Sequence, residues 1–110
     1  MTSSVEAYSD TVRTAREYYN SNDADTFYST IWGGEDIHIG LYSDANDSIF
    51  DASRRASAFL AEHMGPLNSS HHVLDLGSGY GGTARYLART FGCQVTGINL
   101  SEVENERARP

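Results

Sequence analysis

Val73-Leu74-Asp75-Leu76-Gly77-Ser78-Gly79-Tyr80-Gly81-Gly82 is the stretch on which the fold of this chain turns. A short apolar run, Val73-Leu74, opens a strand expected over Val73 to Leu76. Four glycines follow within six residues. The next segment, Thr83 to Phe91, carries apolar residues at helical spacing, and Gly92 stands where a C′ glycine ends a helix. Strand, glycine turn and helix make the first βα unit of a nucleotide-binding α/β fold. Glycine is required where the backbone takes dihedrals that a Cβ forbids, and where it must come close to a ligand. So many glycines at a strand end weaken a fold unless something approaches them.

The glycines alone leave the ligand open. Gly77, Gly79 and Gly82 satisfy G-x-G-x-x-G, the dinucleotide fingerprint, with Asn99 twenty residues beyond Gly79, near the usual ribose acid. Gly77, Gly79 and Gly81 equally satisfy D-x-G-x-G-x-G, the form found in S-adenosylmethionine (SAM) methyltransferases. Asp75 favours SAM: a carboxylate at the strand end repels a pyrophosphate but attracts a cationic amino group. Asn99 points the same way, because an amide is a poorer partner for a ribose diol than Asp or Glu. An NAD-dependent oxidoreductase stays open as the alternative, as does a non-enzymatic module built from the same fold.

The net charge of −7, from 8 basic and 15 acidic residues, argues against nucleic acid or an anionic membrane as the main partner. A hydrophobic content of 39% with 21% charged residues fits a folded soluble chain. Cys93 is the single cysteine, so no internal disulfide forms, and a reducing compartment is expected. It reads as a small core residue. The first residues are polar, and no apolar segment is long enough for a signal or a membrane span, so the expected location is the cytoplasm. His63, His71 and His72 have no ligand spacing with a carboxylate or with Cys93, so no metal site is expected.

Outward from the turn, the sequence predicts a helix over residues 3–20, with Ser3 and Glu6 as a capping box and Val5, Tyr8, Val12, Ala15 and Tyr19 on one face. A second helix is expected from Ala24 to Trp32, ended by Gly33-Gly34, and then an irregular loop over 35–47. A third, capped by Asp47 or Ser48, runs to Met64 with Ile49, Ala52, Ala56, Phe59 and Leu60 inward; Gly65-Pro66 stops it. Asp23/Asp25 and Glu35/Asp36 read as caps and a solvated face. A second strand is expected over Cys93–Ile98, and Ser101 with Glu104 caps a last helix. The expected organisation is a helical lid, 1–69, followed by the beginning of an α/β ligand domain, 70–110. A parallel sheet needs both faces covered, and two strands cannot provide that. The chain is therefore expected to be the N-terminal part of a larger protein, marginally stable and inactive by itself.

The first motif, Val73 to Gly79, resembles that of class I SAM-dependent methyltransferases. Upstream, Glu17-Tyr18-Tyr19-Asn20, Phe27-Tyr28 and Ile31-Trp32-Gly33-Gly34-Glu35-Asp36-Ile37-His38-Ile39-Gly40-Leu41-Tyr42 resemble the N-terminal lid of small-molecule methyltransferases. Tocopherol, phosphoethanolamine and glycine/sarcosine/dimethylglycine methyltransferases share this pattern. The Trp32–Gly40 wording is most similar to the sarcosine/dimethylglycine N-methyltransferases of glycine betaine synthesis. The resemblance implies a Rossmann-like α/β fold, SAM as cofactor and a small amine as methyl acceptor. It implies cofactor contacts from Asp75, Gly77, Gly79 and Gly81. Asn99 and Leu100 would lie at the ribose and adenine, and Tyr19, Trp32 and Gly40 on the lid side. Tyrosines near a sulfonium add cation–π attraction. His38 is the candidate proton acceptor for the attacking amine. Family members commonly carry Asp or Glu at the Asn99 position, which bears on how firmly the ribose is held.

Overall fold

The computed structural model describes residues 8–109. Its elements are α1 (Asp10–Asn20), α2 (Asn22–Ile31), α3 (Ile49–His63), β1 (His72–Leu76), α4 (Gly82–Phe91), β2 (Gln94–Ile98) and α5 (Glu102–Ala108). β1 and β2 pair in parallel, with Val73 opposite Val95 and Asp75 opposite Gly97. The expected α/β architecture, a helical segment followed by a βαβ unit, is the one observed.

Four of the helices start on a serine. Ser9, Ser21, Ser48 and Ser101 accept hydrogen bonds from the backbone N–H of Val12, Ala24, Asp51 and Glu104. Each such cap contributes about 1 kcal/mol by satisfying an orphan donor. α4 starts instead on Gly81, in the left-handed region at φ 81°, and ends on Gly92 at φ 72°.

The apolar core is small. Ala61 of α3, Leu87 of α4 and Cys93 are buried together, ringed by Leu67, Val73, Tyr86, Phe91 and Val95. The Cys93 thiol reaches the Leu87 carbonyl at 3.5 Å. A second contact zone lies where α3 meets the loop after α2. There Leu41 N–H bonds the Ala52 carbonyl at 2.9 Å, and a Cβ on Gly40 would collide with the Ala52 backbone.

Several boundaries and faces differ from expectation. The first helix begins at Asp10, because the Ser9 hydroxyl and an extended Ser9 backbone start it there; Ser3 and Glu6 lie outside the described residues. The second strand begins at Gln94, one residue after Cys93. On α3 the buried positions are Ala52, Ser53, Ser57 and Ala61, while Phe59 and Leu60 are half exposed. Small residues are needed there because the loop and α4 pack close to that face. Asp36 is 2% exposed, so the Glu35/Asp36 pair is no solvated face. Asp25 is likewise engaged, by Arg107 and Tyr80.

Candidate functional site

The glycine turn is tied to the end of β2. Gly77 and Ser78 both donate to the Ile98 carbonyl, at 2.8 and 3.1 Å. Gly77 and Gly79 sit at φ 71° and 56°, a region that only glycine enters at little cost. A Cβ on Gly77 would find no atom within 4 Å, so the backbone there faces open space. A Cβ on Gly79 would touch the Ile37 side chain at 3.0 Å.

Ile37 belongs to the loop between α2 and α3, which closes over the turn. Gly82 permits this: a Cβ there would collide with the Glu35 carbonyl and with Asp36 Oδ1. Arginines pin the loop in place. Arg85 Nη2 lies 2.8 Å from Glu35 Oε2, and Arg54 Nη1 lies 3.3 Å from Asp36 Oδ2 and 3.8 Å from Glu35 Oε2. Trp32 adds a fourth attachment, donating Nε1–H to the His38 carbonyl at 2.8 Å.

Between loop and turn lies a cleft of about 500 Å³. That volume is in the range of small-ligand sites. Its lining brings together Tyr19, His38, Asp75, Gly77, Gly79 and Asn99 of the sequence-predicted set. The others lie elsewhere. Trp32 stacks edge-on with Phe27 at 5.4 Å between ring centroids and supports the loop from behind. Gly40 is a packing glycine against α3. Gly81 lines a separate depression with Arg85 and Asn105, and Leu100 lies beside Leu76 and Ile98 on a further surface that also includes Asn99.

The cleft is acidic. Asp75 is half-buried, and burial pushes its carboxyl above the ordinary range, an effect that nearby His38 partly offsets. Glu104 is 3% exposed, and burial raises its pKa while the Asn99 amide, donating at 2.8 Å, holds it down. The His38 imidazole is raised, chiefly by its contact with the Asp36 carboxylate at 3.4 Å. His38 also faces Ser57 Oγ at 3.4 Å, which continues to Thr83 Oγ1 at 2.9 Å.

Asp36, Tyr80, Thr83 and Glu104 line the cleft and were not among the predicted site residues. The Asp36-x-His38 spacing within the lid wording was a legible signal for the first. Glu104 was legible only as the acid of a capping box, a role that does not specify where its side chain points. Among the described residues, no group of three or more His, Cys, Asp and Glu is placed to hold a metal ion, and no helix is long and apolar enough to cross a membrane.

Comparison with known proteins places this geometry. The family model for mycolic acid cyclopropane synthetase matches residues 7–110. The sarcosine/dimethylglycine N-methyltransferase of Halorhodospira halochloris is 58% identical over 98 residues, which is 89% of this chain and 35% of that protein. The glycine/sarcosine/dimethylglycine N-methyltransferase of Actinopolyspora halophila is 55% identical over 105 residues, 96% of this chain and 18% of that one. A solved structure from Galdieria sulphuraria, assigned provisionally as a sarcosine dimethylglycine methyltransferase, superposes with a TM-score of 0.71 at 45% identity. It covers 83% of this chain and 35% of the other. The chain thus spans about a third or less of the length of these relatives. The family match runs across nearly every residue, and the chain belongs to the mycolic acid cyclopropane synthetase family of class I methyltransferases.

Proposed function

We propose that this chain is the lid and first βαβ segment of a SAM-dependent N-methyltransferase that methylates small amines, with sarcosine and dimethylglycine as acceptors. Residues 1–69 form the lid part and residues 70–110 begin the cofactor domain. The observation that carries the proposal is the cleft itself: positive-φ glycines with open space above Gly77, an acid at the strand end, and a loop held by Arg54 and Arg85 that closes over both. The identity of 58% to a sarcosine/dimethylglycine N-methyltransferase supports the acceptor class.

The residues present fit such a cofactor. Asp75 offers an anion to the amino group of its methionine end, and the Gly77–Gly79 backbone lets that chain pass close. Asn99 stands after β2, where a ribose would meet it. The cofactor, when bound, supplies a sulfonium methyl for in-line attack by an amine lone pair. The protein's part is alignment and exclusion of water, which the closed loop provides.

The test uses the complete polypeptide with labelled SAM and glycine, sarcosine and dimethylglycine supplied separately. Label transfer to the latter two, and not to glycine, supports the proposal in full. Binding of SAM with no transfer to any of the three would keep the cofactor and refute the acceptor. Failure to bind SAM would refute both.

A further inference from the structure

The loop after α2 is gripped at both ends of one residue, His38. The His38 carbonyl accepts from Trp32 Nε1 at 2.8 Å and from Ser53 Oγ at 3.2 Å. The ring turns inward too. Nε2 meets Asp36 Oδ1 and Ser57 Oγ, each at 3.4 Å, and Nδ1 meets the Ile39 carbonyl at 3.3 Å. A carbonyl and an ionised carboxylate can only accept, so this set is filled when both ring nitrogens carry a proton. A neutral ring turns a lone pair toward one of the two acceptors.

The two partners of this ion pair differ in their access to water. The Asp36 side chain is 1% exposed, and the His38 side chain is 40% exposed. The carboxylate is therefore fixed in place, while the imidazole can exchange its proton with solvent. Asp36 also has little other support. Its Oδ2 has no hydrogen-bond donor among the described residues. Arg54 stands 3.3 Å from it, but is shared with Glu35 at 3.8 Å and with the Gly82 carbonyl at 3.4 Å. A buried carboxylate that loses a cation is costly, so the imidazolium counts.

We propose that the loop after α2 is closed by a proton-dependent latch: protonated His38 holds the loop onto buried Asp36 and onto α3, and loss of that proton loosens it. An imidazolium spent in this way has no lone pair for an attacking amine, so the role differs from the proton acceptor expected from the sequence. The inference stands apart from the function proposed above, because the latch is built from this chain alone.

The charged groups that act on the ring are Asp36 of its own loop, Arg54 of α3 and Asp75 of β1. Ser57 of α3 faces it with a hydroxyl, and Thr83 of α4 stands behind Ser57. Tyr19 of α1, Glu35 of the loop and Glu104 of α5 line the same cleft. Asp36 raises the imidazole pKa, and Arg54 opposes it. With the loop open, the imidazole returns to its ordinary value, about 6.5. The latch is then complete below that value and is lost as pH rises through the higher, closed-loop value.

Hydrogen exchange in the complete polypeptide, without cofactor, reads the latch directly. The reporters are the Leu41 amide, which bonds the Ala52 carbonyl, and the Trp32 indole N–H; the Gly92 amide, bonded to the Ala88 carbonyl, is the control. Each rate is divided by its intrinsic rate at the same pH. In the native protein, protection at Leu41 and Trp32 should fall about threefold to tenfold between pH 6 and pH 9, while Gly92 holds. That range lies between a screened ion pair and a charge-assisted hydrogen bond. His38→Gln should be level across the range, at the native protein's pH 9 protection. Asp36→Asn should narrow the fall and end it at lower pH, which mere loosening of the loop would not do. Level protection in the native protein would overturn the proposal. So would an undiminished fall in His38→Gln, or a fall that Gly92 shares.

Discussion

Tyr80 reaches back across the chain to Asp25. Its hydroxyl donates to Asp25 Oδ1 and to the Asp25 carbonyl, both at 3.2 Å, while its ring is buried at 1% exposure in the glycine turn. Arg107 of α5 completes the cluster, with Nε 2.6 Å from Oδ1, Nη2 2.8 Å from Oδ2, and its guanidinium carbon 5.8 Å from the Tyr80 ring centre. Helix α2, the glycine turn and helix α5 are joined at this one point. A ligand under the loop therefore sits on a turn whose orientation α2 and α5 share.

Tyr80→Phe keeps the ring and removes the hydroxyl. Asp25 stays paired with Arg107, so no charge is stranded. The expected cost is about 1.5–3 kcal/mol, the net worth of a hydrogen bond to a charged acceptor. Chemical denaturation of the complete polypeptide measures it, and a loss above about 3 kcal/mol would mean that the hydroxyl holds more than this contact.

Arg107 holds the Asp25 carboxyl below the ordinary aspartate range, with Tyr80 adding to the effect. A folded-state pKa below the unfolded one stabilises the fold at every pH above the unfolded value, about 3.9. That stabilisation fades as pH falls through the folded value. Asp25→Asn should therefore lower Tm at pH 7, and the gap to the native protein should close on acidification below about pH 4. A gap that stays constant from pH 7 to pH 3 would show that the ion pair contributes nothing.

Glu104 works in the opposite direction. Burial raises its pKa, so the folded state disfavours its ionised form. That penalty is complete above the folded-state value and vanishes below the unfolded one. Glu104→Gln keeps an oxygen to accept from the Asn99 amide and removes the charge. The variant should melt higher than the native protein at pH 7 to 8, with the difference shrinking as pH falls through the carboxylate range. A lower Tm at pH 7 would mean that the charge is compensated by partners beyond Asn99.

The parts of this molecule that the sequence made legible are those set by local backbone demands. Four serine caps, the glycine turn and the Gly92 stop each depend on residues within one turn of chain; the sequence marks the Ser101 cap, the turn and the stop, offers Ser48 as one of two candidates, and does not single out Ser9 or Ser21. Which apolar stripe faces inward is a different kind of information. Phe59 and Leu60 follow the helical period on α3, yet Ser53 and Ser57 occupy the tight contact instead. Their hydroxyls are satisfied by the His38 carbonyl and by Thr83. Periodicity ranks residues by hydrophobicity and cannot see that a neighbour comes too close for a large side chain. Composition misplaces Asp36 in the same way: an acid in an acidic loop reads as solvated until Arg54 of α3, distant in the sequence, is placed beside it. Glu104 was read only as a cap because its second role depends on where the Asn99 amide lands.

Gly77 and Gly82 make the last test, because they are glycines for different reasons. At Gly77 the backbone sits at φ 71° with nothing within 4 Å of a would-be Cβ. Gly77→Ala should cost about 1–2 kcal/mol through the dihedral alone and leave the lid in place. Gly82 lies in the first turn of α4, where alanine is the better helix former by about 1 kcal/mol. Its Cβ, however, would meet the Glu35 carbonyl and the Asp36 carboxylate. Backbone cannot swing aside as a side-chain tip can, so overpacking of about 1–3 kcal/mol should win over propensity. The lid should yield first, since the helix is tolerant of alanine. Hydrogen exchange over residues 33–42 of the complete polypeptide separates the two cases. Faster exchange there in Gly82→Ala, with unchanged exchange in Gly77→Ala, is the expected result. Equal exchange in both variants would mean that the loop does not rest on Gly82, and the closed cleft would lose its structural basis.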